Sequence, residues 1–277
     1  MNDLKPVHPI GTPGQLNDAD FSRIRKLIRE QAGIQLNDSK RMLAYGRLRP
    51  RIRELGLSGF DAYLSLVETQ RGDELERFVN ALTTNLTAFF REAHHFEILG
   101  EALRKTRARR VRIWCAAAST GEEPYSIAIT CKEALPAGVT AEIMATDIDT
   151  TVLARARQGV YTEAGFAKLA PARLRQWFTA RPGNEASFEV KPELKAMIRF
   201  TRLNLMDRTW PVRDTFDYIF CRNVLIYFDR ETKLQIIKRM HGQLTTGGLL
   251  FVGHSENFSD CRTLYQLQGR TTYLRIP

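Results

Sequence analysis

Residues 111–135 read VRIWCAAASTGEEPYSIAITCKEAL, and this stretch decides the fold. Its first part, VRIWC, is a short apolar run of the kind that forms a buried parallel strand. A turn of small residues follows, and after it comes an apolar segment with Pro124 in its first turn, where a helix tolerates proline. The pattern therefore predicts a strand, a tight turn and a helix.

The same alternation of strand and helix continues downstream. AEIMATD (141–147) predicts a second strand and TTVLARARQG (150–159) a helix. Further apolar runs suited to buried strands are MIRFTRLNL (197–205), FDYIFCRNVLIYF (216–228) and GGLLFVGHS (247–255), with the helix RETKLQIIKRMHGQL (230–244) between the last two. This order favours an open α/β sheet of the Rossmann-like type, covered by helices on both faces. The closing LRIP is predicted to be an antiparallel edge strand.

Residues 159–196 interrupt this alternation. About 38 residues are too many for a plain loop in a compact domain. A short helix is predicted at 171–178 and one arm of a strand pair at 188–191. We therefore expect a small inserted β-subdomain here.

The part of the chain before the sheet reads as helical. Residues 16–82 carry four apolar stripes at helical spacing, with Pro50 inside the second, where a kink or break is expected. The predicted organisation is a disordered leader (1–15), a helical domain (16–82), a connector (83–108) and a catalytic domain (109–277).

Composition limits the class of protein. Of 277 residues, 43% are hydrophobic and the net charge is +10, which favours an acidic partner without identifying it. No apolar run approaches the ~20 residues that span a bilayer, and the N-terminus lacks the apolar core of a signal peptide. The four cysteines form no C-x-x-C pair, so we expect reduced core thiols, no metal and a cytoplasmic location.

Four arginines are crowded into seven residues of the second predicted helix: Arg47, Arg49, Arg51 and Arg53. They form either a solvated face or a docking surface for an acidic partner. The segment has no interleaved aromatic residues that would stack on bases, which disfavours single-stranded nucleic acid.

Chemistry is indicated by the residues that follow the first two strands. The turn at 116–123 allows close approach of a ligand to backbone, but Glu122 and Glu123 at the helix start would repel a pyrophosphate. Asp147 follows the second strand directly, where an acidic residue of a Rossmann-like sheet accepts hydrogen bonds from ribose hydroxyls. Asp147 could instead be a helix N-cap. An adenosine without pyrophosphate fits these features, and S-adenosylmethionine fits best.

Several strings of the sequence resemble, in this order, the CheR-type chemoreceptor glutamate methyltransferases. They are NLTAFFR (85–91), AAASTGEEPYSIA (116–128), ATDIDT (145–150), NL (204–205), FCRNVLIYF (220–228) and GHSENF (253–258). The resemblance runs from about residue 16 to the end. It implies a helical N-terminal domain and an inserted β-subdomain as well.

The resemblance implies roles by position. The S-adenosylmethionine pocket would be formed by Asn85, Thr87 and Arg91 from the connector, Glu123 and Asp147 at the methionine or ribose part, Asn204 and Leu205 at the adenine, and Arg222 and Asn223 after the fourth strand. Arg91 and Tyr227 would lie near the transferred methyl group, as catalytic residues.

The resemblance also implies partners. The arginine-rich helix would contact the acidic methylation helices of a receptor, and the inserted subdomain would, in some members, bind a receptor C-terminal pentapeptide. The expected protein is a monomeric cytoplasmic enzyme of chemotaxis signalling that is recruited to receptor arrays and forms glutamate methyl esters and S-adenosylhomocysteine. It would neither bind nucleic acid nor insert into the membrane.

The sequence is less consistent with three other functions. A nucleic-acid methyltransferase would suit the basic charge, but amino-directed enzymes usually show D/N-P-P-Y/F where this chain has Cys221-Arg222-Asn223-Val224. A binding module without catalysis is disfavoured by the complete candidate site. A NAD-dependent dehydrogenase is disfavoured by the alanine-rich turn and its two glutamates.

Overall fold

The computed structural model describes residues 14–69, 72–167, 169–181, 183–212, 215–256 and 261–277. The chain divides into two compact units between Thr83 and Thr84. Most of the predicted leader, 1–15, lies outside the described residues. No helix in the described ranges has both the length and the apolar character needed to cross a membrane.

The first unit is helical. Its helices are α1 (Asp18–Ala32), α2 (Arg41–Glu54), α3 (Phe60–Thr69) and α4 (Asp73–Leu82), with a 3₁₀ turn at Asp38–Lys40 before α2. The Asn17 side chain caps α1 by accepting the N–H of Asp20 at 2.7 Å. Gly33 ends α1 at φ 70°, a left-handed conformation that suits glycine. The apolar stripes of the four helices form a buried core.

Helix α2 does not break at Pro50. The helix continues from Arg41 to Glu54 with Pro50 inside it and exposed. Proline removes one backbone donor, yet Leu48 and Ile52 on either side are fully buried. Packing of the apolar face thus keeps the helix continuous where local preference predicted an interruption.

The second unit is built on a mixed sheet. Its strands are β1 (Arg110–Cys115), β2 (Thr140–Asp147), β6 (Ile198–Arg202), β7 (Phe216–Cys221), β8 (Leu244–Val252), β9 (Tyr265–Gly269) and β10 (Thr272–Arg275), in the order β6-β2-β1-β7-β8-β10-β9. The first five are parallel. The helices of this unit are α5 (His94–Arg104), α6 (Glu122–Ala134), α7 (Thr150–Gln158), α8 (Pro171–Trp177), α9 (Pro192–Lys195) and α10 (Arg230–Gln243). This is the predicted α/β class.

Strand β1 lies in the middle of the parallel region, and its side chains alternate between two cores. Ile113 and Cys115 belong to one apolar cluster, while Trp114 belongs to the cluster on the opposite face. All four cysteines of the chain are buried. Burial on both faces explains why these strands read as continuous apolar runs.

The C-terminal strands differ from the prediction at the edge. LRIP overlaps β10, which is antiparallel as expected, but β10 pairs with β8 on one side and β9 on the other. The edge strand is therefore β9, whose sequence YQLQG carries only a weak apolar signal. Strands β9 and β10 form a hairpin, and the tight turn between them contains Arg270 and Thr271, both at positive φ.

The inserted segment contains more sheet than predicted. Strands β3 (Val160–Thr162), β5 (Asn184–Val190) and β4 (Phe178–Arg181) form a separate antiparallel sheet in that order. Helix α8 occupies the predicted helical position. The sequence indicated only a strand pair, because β3 has three residues and is too short to give a recognisable strand pattern.

Candidate active site

Four loops of the second unit meet at one edge of the sheet. The parallel register places the ends of β1, β2, β7 and β8 side by side, since Cys115 pairs with Ala145 and Phe220, and Cys221 with Val252. The residues after these strands therefore lie close together. This edge contains the motifs singled out in the sequence.

The turn after β1 is shaped for close packing. Gly121 adopts φ 102°, and a Cβ on it would lie 2.6 Å from the Tyr161 hydroxyl and 3.0 Å from the Ala156 Cβ. Ser119, just before, is at φ 48°, and its N–H donates to Asp147 Oδ2 at 2.8 Å. The lack of a side chain at position 121 lets the start of helix α6 lie close to Tyr161 and Ala156, so only glycine fits there.

Asp147 lies at the end of β2 and is 9% exposed. Its two oxygens accept the backbone N–H groups of Ser119 at 2.8 Å and of Asp149 at 3.0 Å. Burial raises its pKa to about 6, although hydrogen bonds from the backbone of Asp149, Ser119 and Ile148 oppose the shift. A carboxylate has about four lone-pair sites, so three backbone donors leave room for one more. A ribose hydroxyl would supply that donor. The neighbouring Asp149, and not Asp147, caps α7.

Glu123 and Arg222 form a buried ion pair at the same edge. Arg222 Nη1 donates to Glu123 Oε2 at 2.7 Å, and the other Glu123 oxygen accepts the Cys115 thiol at 3.2 Å. Arg222 Nη2 donates to the backbone oxygen of Arg91 at 2.5 Å and lies 3.3 Å from Glu92 Oε2. Burial raises the pKa of Glu123, while Arg222 opposes the shift. The Arg222 guanidinium thus joins the connector to the sheet.

The connector enters the site at its N-terminal end. Asn85 Nδ2 donates to Asp149 Oδ2 at 2.8 Å, and its backbone oxygen accepts the Ser119 hydroxyl at 3.1 Å. Arg91 is partly exposed, and its Nη1 donates to the Leu86 carbonyl at 2.7 Å. Thr87, between them, is also partly exposed. The connector is therefore tied to β2 and to the turn after β1.

The remaining predicted residues follow β6 and β7. Asn204 and Leu205 are buried after β6, and Asn204 Oδ1 accepts the N–H of Met206 at 2.9 Å. The backbone links this loop to β2, because the N–H of Leu203 donates to the Asp147 carbonyl at 3.0 Å. After β7, Asn223 Nδ2 faces a Glu92 oxygen at 3.4 Å.

Tyr227 is partly exposed in the 3₁₀ turn Leu225–Tyr227. Since that turn follows Arg222 and Asn223 directly, Tyr227 shares their loop. The described residues thus bring the predicted site together within one unit, except for the arginines of α2.

Sequence reasoning assigned no role to Glu92 or Glu256, two carboxylates of this edge. Glu92 contacts Arg222 and Asn223, and Glu256 is 4% exposed beside Asn223. Glu256 occurs in GHSENF (253–258), a string that carried the resemblance, and Glu92 directly follows another, NLTAFFR (85–91). Phe90, Glu92, Ser119 and Asn223 all have φ between 48° and 56°, rare for residues other than glycine.

The arginines of α2 do not share one face. Arg51 Nη2 pairs with Glu74 at 2.5 Å, and Arg47 donates to the backbone oxygens of Ala81 and Thr83. Arg49 lies over the Tyr45 ring at 5.5 Å, and Arg53 is exposed. Two of the four predicted docking residues therefore hold the helical unit together.

The fold and the site define an α/β protein that binds a nucleoside at the ends of its parallel strands. Comparison of the chain with known protein families supports this class. The family described as "CheR methyltransferase, SAM binding domain" matches residues 85–274, and "CheR methyltransferase, all-alpha domain" matches residues 19–83.

The chain is 49% identical to the chemotaxis protein methyltransferase of Salmonella typhimurium over 93% of this chain and 90% of that protein. It is 48% identical to that of Escherichia coli, over 93% and 91% of the two chains. Chemotaxis protein methyltransferase 2 of Pseudomonas aeruginosa is 45% identical over 92% of each.

The chain belongs to the CheR methyltransferase family and is an S-adenosylmethionine-dependent methyltransferase. The described residues fit that cofactor. Asp147 would offer an acceptor to a ribose hydroxyl, and the edge carries buried carboxylates suited to a cationic ligand.

Proposed function

We propose that this protein transfers a methyl group from S-adenosylmethionine to glutamate side chains of chemoreceptors, in sensory adaptation of bacterial chemotaxis. The products would be glutamate methyl esters and S-adenosylhomocysteine. The observation that supports this best is the bond from Arg222 to the Arg91 backbone oxygen, at 2.5 Å. It anchors Arg91 at the sheet edge that carries Asp147, so one pocket can serve both the cofactor and an anionic substrate.

The proposed nucleophile needs no general base. A glutamate carboxylate has a pKa near ~4.3 and is ionised at neutral pH. The bound cofactor supplies an electrophilic methyl group on a sulfonium. The protein's task is then to orient the carboxylate and to exclude water. Arg91 would orient the substrate through its guanidinium, and the Tyr227 hydroxyl would fix the angle of attack by a hydrogen bond.

The proposed receptor-docking surface is a stripe of α2 formed by Met42, Gly46, Arg49 and Arg53, which recur at helical spacing. Met42 is 71% exposed, Gly46 and Arg53 are exposed, and Arg49 is partly exposed. An acidic receptor helix would meet Arg49 and Arg53 there. Arg47 and Arg51 would act indirectly, because their guanidinium groups are engaged within the helical unit.

The inserted sheet is the proposed site for a receptor tail. Strands β3 and β4 lie at its two edges, and an edge strand can accept an extended peptide through backbone hydrogen bonds. A C-terminal pentapeptide has a suitable length. The protein itself would act as a cytoplasmic monomer recruited to receptor arrays.

The test is incubation with methyl-labelled S-adenosylmethionine and receptor-containing membranes. We expect base-labile label on the receptor, since methyl esters hydrolyse in alkali. Arg91→Ala should lose most of this activity and retain its fold. Base-stable label, or label transferred to tRNA or DNA in preference to receptor, would contradict the proposal. Lys132→Ala, on α6, serves as a matched control for loss of an exposed cation.

A further inference from the structure

Glu256 is a buried carboxylate without a described cationic partner. It follows β8 by four residues and is 4% exposed. Among the described residues, no lysine, arginine or histidine nitrogen pairs with it within 4.0 Å. Its charge is stabilised instead by backbone N–H groups, which form a concave anion site of the kind seen in backbone nests.

Four backbone N–H groups donate to this carboxylate, those of Gly253, Asn223, Leu225 and Ile226. Oε2 accepts those of Gly253 at 2.6 Å and Asn223 at 3.0 Å, and Oε1 accepts that of Leu225 at 2.8 Å. Three of these donors belong to the loop after β7 and one to the loop after β8. The carboxylate therefore clamps the two loops together.

Gly253 makes this clamp tight. A Cβ at position 253 would lie 2.4 Å from Asn223 Nδ2, 2.8 Å from the Asn223 backbone nitrogen and 2.9 Å from Glu256 Oε2. Any larger residue would push these groups apart. Asn223 itself is held at φ 56°, a conformation that the clamp must stabilise.

The clamped loop carries groups that the reaction uses. It begins with Arg222, which holds the Arg91 backbone oxygen, and ends with the 3₁₀ turn containing Tyr227. Glu256 is too buried in backbone contacts to act on a substrate directly. Its influence on the reaction would pass through the shape of this loop.

We infer that Glu256 is a positioning residue for methyl transfer: its carboxylate fixes the Asn223–Tyr227 loop against the loop after β8. The inference rests on the proposed function for its kinetic consequence, but its structural consequence can be measured separately. Glu256→Gln keeps the size of the side chain. One oxygen can still serve Asn223 and Gly253, while the new amide group opposes the N–H of Leu225.

The first measurement is amide hydrogen exchange, monitored residue by residue by NMR, and it begins with the wild-type protein. The amides of Asn223 and Leu225 should exchange as slowly as those of the central strands. In Glu256→Gln the Leu225 amide should exchange at least tenfold faster, and that of Ile143 in β2 should not change. Fast exchange in the wild type would overturn the inference without any variant. Accelerated exchange at Ile143 in the variant would overturn it too, as it would indicate a general loss of stability.

The second measurement is kinetic. The kcat of Glu256→Gln should fall at least tenfold, with a smaller rise in the KM for S-adenosylmethionine, because Asp147 and Asn204 would hold the nucleoside from other strands while Asn223 would move with the loop. Glu231→Gln, at an exposed position of α10, should behave as the wild type. Unchanged kcat in Glu256→Gln would overturn the inference. If wild-type protein forms no receptor esters, the proposed function fails and the exchange data decide the inference alone.

Discussion

Replacing Asp147 by asparagine tests the nucleoside site most directly. The carboxylate is nearly buried and accepts backbone N–H groups of Ser119, Asp149 and Ile148, which leaves acceptor capacity for a ribose hydroxyl. Asparagine keeps one acceptor oxygen and replaces the other by a donor. One hydrogen bond to a charged group is lost, at about 1.5–3 kcal/mol. S-adenosylhomocysteine should therefore bind about 10- to 150-fold more weakly at pH 7.5.

The pH dependence sharpens this prediction. Burial raises the pKa of Asp147 from 3.8 to about 6, so the ligand-free carboxyl is mostly ionised at pH 7 and mostly protonated at pH 5. Ribose hydroxyls favour the ionised form, and binding below pH 6 must release a proton. Affinity of the wild type should consequently fall about tenfold from pH 7 to pH 5. The variant has no such group, and its affinity should stay nearly constant over that range.

The stability of the Asp147→Asn variant is the control for these binding measurements. A raised pKa in the folded protein gives stability that is complete below pH 3.8 and is lost as the pH rises through about 6. Replacing the charged Asp147 carboxylate by a neutral group at pH 8 therefore raises the free energy of unfolding by about 3 kcal/mol, at ~1.36 kcal/mol for each pKa unit between 3.8 and about 6. The amide group then opposes one backbone N–H, which costs about 1–3 kcal/mol. The free energy of unfolding should remain within about 2 kcal/mol of the wild type.

Isothermal titration calorimetry with S-adenosylhomocysteine at pH 5 and 7, with urea unfolding of both proteins, checks these expectations. Wild-type affinity in the variant would refute the role of Asp147. If the affinity of the variant for S-adenosylhomocysteine also fell tenfold from pH 7 to pH 5, a group other than Asp147 would cause the pH dependence.

Three further results are expected. Arg51→Glu should lower the free energy of unfolding of the helical unit by about 3 kcal/mol, since it replaces the cation that pairs with the buried Glu74 carboxylate by a second carboxylate; an unchanged urea midpoint would contradict this. Arg49→Glu with Arg53→Glu should reduce receptor methylation at least tenfold and leave calorimetric affinity for S-adenosylhomocysteine unchanged; equal loss of both would exclude a docking role. Gly121→Ala should lower Tm and weaken cofactor binding at least tenfold, because its Cβ would collide with the Tyr161 hydroxyl at 2.6 Å; binding as in the wild type would contradict that.

The parallel sheet could be predicted because its signal is local. Each central strand is buried on both faces and appears as an apolar run, and each is followed by a polar or small residue at the same edge. Asp147 could be placed for the same reason. Strand β9 could not, because YQLQG has alternating polar residues and becomes a strand only by pairing with β10.

The network around Arg222 required the structure. Its partners Glu123 and Arg91 are separated from it by 99 and 131 residues in the chain. The resemblance implied that Arg222 belongs to the cofactor pocket, but not that its guanidinium is completely buried and holds the backbone of the connector. Likewise, no sequence rule places phenylalanine, glutamate or serine at positive φ, as found at Phe90, Glu92 and Ser119. These conformations depend on tertiary contacts.

The charge of the site is opposite to that of the whole protein. The chain carries a formal +10, yet Glu122, Glu123, Asp147 and Glu256 lie at the same sheet edge. Burial raises the pKa of each, and Arg222 compensates only Glu123 through an ion pair. Such an edge disfavours a pyrophosphate and attracts a cationic ligand. We therefore propose that the basic surface and the acidic pocket select different molecules: an acidic protein outside and a sulfonium nucleoside within.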